Sequence, residues 1–330
     1  MIKNNRKGMY LLMKVKLTVI CMVYNHEKYL LDALEGFVSQ KTNFKYKIVV
    51  HDDASTDNSQ AIIKEYAEKY PEKIKPILQK VNTHTTIGGK ERFRKYILPQ
   101  IEGEYVAFCE GDDFWCNDNK LQNQVDYLDN HNEYTASVHN SVFLDMRTNS
   151  KSKFNNTHNS ECDLDIEDLV NGVSGRYQTS SLVCRSKYIY ERPSFFDKIN
   201  VGDYPRAIQL VSEGKIRYFP ELMSVYRFMS NPSSWTYNNT GLTNFNKRVN
   251  LIEKEIDMLD DVKKIYNKNI EVINSAINKK KYHKLFLLGK IKEIKGDEAY
   301  RAIYSNEKII RKIKLRMRAI YMFLNRKKEK

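Results

Sequence analysis

Apolar and polar positions along the first 240 residues follow two alternating rhythms. Leu17–Val23 (LTVICMV) is a short continuous apolar run rich in β-branched residues, the pattern of a strand buried on both faces. In Tyr29–Ser39 the apolar residues fall at 30, 31, 34, 37 and 38, one stripe of a helix. Tyr46–Val50 (YKIVV) predicts a second strand ending in His51, Asp52 and Asp53. The cluster Ser55 to Asp57 then offers N-cap chemistry. The helix it opens carries Ile62, Ile63, Tyr66, Ala67 and Tyr70 on one face and is closed by Pro71. Ile74–Leu78 predicts a third strand. Tyr105–Cys109 (YVAFC) predicts a fourth, which runs into Glu110-Gly111-Asp112-Asp113, and Lys120–Leu128 is helical again.

Strands alternating with helices at this spacing predict an α/β fold with right-handed crossovers and a mostly parallel central sheet flanked by helices. Ligands of such sheets bind beyond the carboxyl ends of the strands. Tyr24 and Asn25, Asp52 and Asp53, and Asp112 and Asp113 all stand at such ends, so separate strands deliver acids to one rim. The later chain is less regular. Asn149–Asn159 reads as a polar surface loop; Ser180–Arg185 and Ile216–Arg227 read as strands, with a helix from Tyr204 to Glu213 between them. Beyond Thr243 the pattern is helical. Three segments are predicted: a basic lead-in (1–14), an α/β domain (15–240) and a basic helical region (241–330).

Charge sharpens that division. Of the net +14, residues 241–330 supply 24 Lys and Arg against 11 Asp and Glu, and the first 240 residues supply 31 against 30. From Ile309, apolar residues recur at 309, 310, 313, 317, 320, 321 and 324, with Arg311, Lys312, Lys314, Arg316 and Arg318 between them. A basic amphipathic helix over 309–330 can lie on an anionic membrane surface or pack on the protein with a solvated basic face. No nucleic-acid-binding motif accompanies the charge, so no nucleic acid is expected. No run approaches the roughly 18 apolar residues needed to span a bilayer. The Met9–Met13 run is shorter than a signal-peptide core of about 7 to 15 residues. Five cysteines, an odd number with no CxxC pair, argue against a disulfide framework and a structural zinc site. The expected location is cytoplasmic, or peripheral at the inner face of the cell membrane.

The acids carry the candidate chemistry. Three carboxylates within Glu110–Asp113 repel one another unless a cation sits among them, and their oxygens suit Mg²⁺ or Mn²⁺, which also grip a diphosphate. An isolated EGDD would be a solvated turn, but this one is anchored to a buried strand and followed by Phe114-Trp115. In HDDASTD, one N-cap does not need three aspartates. A strand-end carboxylate can accept the N3–H of uracil while an aromatic such as Tyr24 stacks on the base.

The series LTVICMVYN, VVHDDASTDNS and GEYVAFCEGDDFW, in this order and spacing, closely resembles family 2 glycosyltransferases of the GT-A fold over roughly residues 15–230. The resemblance implies an inverting enzyme that uses a nucleotide-diphosphate sugar, often a UDP-sugar, with Mn²⁺ or Mg²⁺. The expected acceptor is a glycan or lipid-linked oligosaccharide of bacterial surface polysaccharide assembly. It implies nucleotide contacts from Tyr24, Asn25, Asp53 and Asp112, metal and diphosphate held by Asp112 and Asp113 with Asp113 the favoured ligand, and Asp203 as general base. Asp203 could equally be the N-cap of its helix. Gln178 and Ser180 fall beside the acceptor in relatives. Trp115 would stack on a sugar or pack on its own loop. One of Asn82, Lys90, Arg92 and Arg94 would meet phosphate or simply lie exposed. Two departures stand out: Glu110 replaces the usual first Asp, and Phe228-Met229-Ser230 occupies the place where some relatives carry a histidine near the metal. The alternatives are a nucleotidyltransferase, which lacks here its Gly-rich triphosphate loop, and a non-catalytic binding protein that uses the basic tail.

Overall fold

The computed structural model describes residues 14–230 and 245–326, with the side chains of 245 and 318–326 excepted. The basic lead-in before Lys14, the boundary predicted near residue 240 and the closing lysines lie outside the described residues. The chain divides into two compact units, one of residues up to 193 with 200–230, the other of 194–199 with residues from 231 on.

In the first unit, β1 (Val15–Val23), β2 (Lys45–Asp52), β3 (Ile74–Leu78) and β4 (Tyr105–Phe108) form the parallel half of one sheet, in the order β3-β2-β1-β4. Their apolar runs are buried because α1 (Leu30–Val38) and α2 (Ser59–Lys69) cover them. Next come the short helices α3 (Thr83–Thr86) and α4 (Gly88–Arg92), then β5 (Phe114–Trp115) and α5 (Lys120–Asn130). The sheet continues through β6 (Tyr134–Asp145), β7 (Ser150–Lys153), β8 (Cys162–Leu164), β9 (Val183–Arg185) and β10 (Lys215–Phe228), with α6 (Asp203–Glu213) before the last. Beyond β4 the order is β9-β6-β10-β5. β9 runs antiparallel to both neighbours, while β6 and β10 run parallel to each other.

Two predicted features change. The polar stretch after Asn149 contains a strand, because β7 turns back at Asn149 (φ 56°) and pairs antiparallel with the end of β6. The sequence around Ser180 begins as a 3₁₀ turn, Thr179–Ser181, turns extended at Leu182 and pairs as a strand only from Val183.

The second unit is helical: α7 (Phe245–Tyr266), α8 (Ile270–Leu287), α9 (Ile291–Gly296), α10 (Glu298–Ser305) and α11 (Ile309–Arg326). α7 and α8 turn through the left-handed residues Asn267 and Asn269 and are tied by Lys280–Glu255 (2.7 Å) and Lys284–Glu253 (2.6 Å). Tyr282, Ile294 and Leu315 centre a small core, with Phe286, Tyr300 and Tyr304 packed around it.

Candidate active site

Three strand ends of the first unit meet at one rim. After β1 the chain turns at Asn25, a non-glycine residue at φ 56°, held there from both sides. Its N–H donates to Ser55 Oγ (2.9 Å) and its Oδ1 accepts the Thr56 N–H (2.8 Å). Tyr24 is half-buried beside it. The sharp turn thus ties the end of β1 to the HDDASTD loop after β2.

That loop is saturated. Asp52 accepts the Ser55 N–H (2.9 Å), the Ser55 hydroxyl and Gln60 Nε2 (2.6 Å). Asp53 is buried and takes the Thr83 N–H (2.8 Å), the Thr83 hydroxyl, the His84 N–H (3.0 Å) and Arg92 Nη1 (2.7 Å). Burial pushes its pKa up, but the Thr83 and His84 donors and the Arg92 charge outweigh burial and hold it below the usual carboxylate range. A base N–H could reach Asp53 only by displacing one of these donors.

The Glu110–Asp113 loop is the opposite. Gly111 lets it press onto β1 and α1: a Cβ there would stand 2.9 Å from His26 Nδ1 and 3.0 Å from Val23 Cγ2. Asp113 turns inward, 6% exposed, and its Oδ1 accepts the Arg227 N–H (2.9 Å). Sequence order favoured Asp113 as the direct metal ligand; in the fold its Oδ1 also locks the loop to β10. Arg227 completes that clamp through Asp112 O (2.9 Å) and Asp32, with its guanidinium over the Phe114 and Tyr29 rings.

Glu110 and Asp112 are left to the open side. Asp112 Oδ2 accepts Ser230 Oγ (2.7 Å) and lies 3.9 Å from His26 Nε2. The Phe228-Met229-Ser230 departure therefore reaches the acid through a serine hydroxyl, after a turn at Met229 (φ 60°). Glu110 is open to solvent but walled by protein. Desolvation, then the charges of Asp112 and Asp203, push its carboxyl up to about 7 against the pull of Arg92.

Asp203 joins this group from the start of α6. It is not the N-cap: Gly202 caps α6, and Asp203 is the first helical residue, with Oδ1 accepting the Tyr204 N–H (2.8 Å). Its carboxyl is open to solvent, yet the surrounding walls raise it above the usual range in spite of that N–H and of Arg206. A carboxylate raised in this way is a better proton acceptor near neutrality.

Other expected contacts lie elsewhere. Trp115 is buried, its Nε1 donating to Ser180 O (2.8 Å) and its ring edge-on to Phe37 at 4.8 Å, so it packs in the core. Ser180 is also buried, its hydroxyl bonded to Ser224 Oγ (3.1 Å). Gln178 is half-buried at the start of the 3₁₀ turn, its carbonyl accepting the Ser181 N–H and hydroxyl. Sequence reasoning did not single out His26 or Arg227. The Asn-His-Glu run directly after Tyr24 was the available signal for the first; the second needs the β10 register to be seen.

Among the described residues no three His, Cys, Asp or Glu side chains converge closely enough to hold a metal ion alone. Glu110 and Asp112 nevertheless offer hard oxygen donors with unneutralised charge. That is the donor set of a Mg²⁺ or Mn²⁺ site completed by substrate phosphates, which needs only one or two protein carboxylates.

Residues 18–213 match the family model described as glycosyl transferase family 2. An uncharacterised protein of Mycobacterium tuberculosis H37Rv, Rv1520, is 35% identical over 215 residues, 64% of this chain; the match spans 58% of that relative's length. The poly(ribitol-phosphate) β-N-acetylglucosaminyltransferase TarS of Staphylococcus aureus Mu50 is 34% identical over 120 residues, 36% of this chain and 19% of TarS. The crystal structure of S. aureus TarS 1–349 in complex with UDP superposes with TM-score 0.57 at 14% identity, covering 90% of this chain and 77% of that one. The mannosyltransferase PcManGT of Pyrobaculum calidifontis, in complex with GDP-Man and Mn²⁺, superposes with TM-score 0.51 at 12% identity, covering 98% and 94%.

Proposed function

From the premise that the chain belongs to glycosyl transferase family 2, with a GT-A catalytic unit, we propose that it transfers a sugar from a nucleotide-diphosphate sugar, a UDP-sugar by preference, to a hydroxyl of a glycan or lipid-linked acceptor in surface polysaccharide synthesis. The observation that carries this reading is the convergence of Glu110, Asp112 and Asp203 at one rim, with their mutual repulsion eased only in part by Arg92. Acids that serve only the fold are paired, as Asp52 and Asp53 are. Support for the donor comes from the UDP bound to TarS and the GDP-Man bound to PcManGT. Support for the acceptor class comes from the poly(ribitol-phosphate) activity named for TarS.

In this reading Asp203 takes the proton from the acceptor hydroxyl as it attacks the anomeric carbon from the face opposite the leaving diphosphate, which inverts the configuration. Tyr24 stacks on the base and Asn25 fixes the turn that presents it. Asp53 acts through Arg92, which it holds close enough to Glu110 to relieve its charge and to meet a phosphate. Glu110 and Asp112 would hold the divalent cation, which when bound stabilises charge on the departing diphosphate. Asp113 positions their loop, and Gln178 would meet the acceptor. A lipid-linked acceptor would place the reaction at the membrane surface.

Calorimetric titration of UDP with and without Mn²⁺ tests the donor site. Binding in the micromolar range that requires Mn²⁺ is expected for the native protein, with about a tenfold to hundredfold loss in Asp112→Asn. Absence of nucleotide binding under every condition would remove the reading.

A further inference from the structure

The two arrangements open to the carboxyl-terminal helix are separated by which of its faces is covered. In α11, Leu315 is 0% exposed and sits in the core formed with Tyr282 and Ile294. The amphipathic stripe is elsewhere. Ile309, Ile310, Ile313 and Met317 are 75%, 67%, 49% and 65% exposed. At 3.6 residues per turn these four fall within an arc of about 100°, roughly opposite Leu315. Lys314 and Arg316 border that arc on its two edges. Arg311, 54% exposed, pairs with Glu307 (3.0 Å) and lies over the Phe286 ring, and the half-buried Lys312 donates to Ser305 O (2.8 Å).

The helix is therefore fastened by one buried leucine and by the hydrogen bonds of Arg311 and Lys312, while three isoleucines and a methionine are held outward between Lys314 and Arg316. A packed helix with a solvated basic face would have the reverse arrangement. We infer that this outward stripe is an interfacial membrane face: the apolar side chains enter the acyl boundary and Lys314 and Arg316 reach anionic headgroups on either side. Charge complementarity fixes the occupant as an anionic bilayer surface, because an apolar protein groove would not call for cations along both edges. Among the described residues no helix is long and apolar enough to cross a membrane, so the helix lies on the surface. The inference gives purpose to the lipid-linked acceptor reading but stands on its own observation.

Cosedimentation of the full chain with vesicles tests it, read without donor or acceptor so that its outcome is independent of transfer. Binding is expected to vesicles containing phosphatidylglycerol, to weaken with salt, and to be small with phosphatidylcholine alone. Ile310→Asp/Ile313→Asp and Lys314→Glu/Arg316→Glu should each lower partitioning about tenfold or more, with unchanged helix content by circular dichroism and unchanged UDP affinity. Equal binding to neutral and anionic vesicles, or double variants that bind as the native chain does, would overturn the inference. So would a dimer in analytical ultracentrifugation that the isoleucine variant dissociates while vesicles capture nothing, since a second copy would then cover the stripe.

Discussion

The two acidic loops at the rim of the sheet look alike as sequence and differ in what surrounds them. HDDASTD places three aspartates after β2, and each is met by donors: Asp57, for example, accepts the Glu27 N–H (3.0 Å) and the Ser59 N–H (3.0 Å) and titrates below the usual range. EGDD after β4 spends Asp113 on the fold, gives Asp112 the Ser230 hydroxyl, and leaves Glu110 and Asp112 near Asp203, with Arg92 the cation that eases Glu110. The first loop resembles a joint, in which charge is used to fix backbone. The second accumulates charge at a fixed place, which costs folding free energy and makes sense when a cation and a diphosphate arrive. Donor saturation, more than the number of acids, separates the two.

The sharpest way to break that comparison is to remove the charge opposite the EGDD loop. Asp203→Asn is expected to lower kcat by about 10³-fold while UDP affinity, measured by calorimetry, stays within about twofold. Transfer at native rates would show that the raised carboxyl has no part in the chemistry. The next largest effect belongs to the joint. Asp53→Asn leaves the Arg92 guanidinium without its partner and should cost about 3 kcal/mol in urea unfolding at pH 7. Because Asp53 titrates low in the folded state, its contribution is complete above about pH 4 and disappears as pH falls through the folded value. The gap between variant and native protein should close in strong acid. A constant gap across that range would mean that hydrogen bonds alone, and no charge, hold the loop.

Much of this arrangement is legible in the residues. β1 and β4 are runs of mostly apolar residues buried inside the sheet, and runs of that kind are read directly, whereas β3 is an edge strand with Lys75 and Pro76 exposed. β6 is central too, yet hidden: Thr135, Ser137, His139, Asn140 and Ser141 are all buried within it. Two of these residues find partners far along the chain, Thr135 Oγ1 at Leu210 O (2.9 Å) and Ser141 Oγ at Ser224 Oγ (2.8 Å). No local pattern announces such a strand. The site divides in the same way. That acids gather at strand ends could be read; which of them turns inward depends on the β10 register that brings the Arg227 N–H to Asp113. Trp115 teaches the same lesson. Its ring lies under Lys120 Nζ (4.3 Å) as well as beside Phe37, so Trp115→Phe should lose about 2 kcal/mol of stability by leaving Ser180 O unsatisfied, with donor affinity unchanged. A variant of native stability that failed in transfer would return the indole to the sugar site.

The smallest effect decides most directly whether the EGDD loop is strained by its own charge. Glu110→Gln keeps the shape of the side chain and deletes the ionisation. In the unfolded chain a glutamate ionises near pH 4.3; in the folded protein Glu110 does so at about 7. Native stability therefore carries a penalty that begins as pH passes the unfolded value, grows until the folded group ionises, and is constant above it. Measured in EDTA, the variant should match the native protein below about pH 4 and exceed it at pH 8. After allowance for solvent screening the gain is about 1 kcal/mol, or about 3 °C in Tm. This is opposite in sign to Asp53→Asn. Saturating Mn²⁺ and UDP should erase the gain, because a bound cation turns the same charge from a penalty into a ligand. If Glu110→Gln instead destabilised at pH 8 without metal, Glu110 would have a protein partner after all, and the distinction between the two loops would collapse.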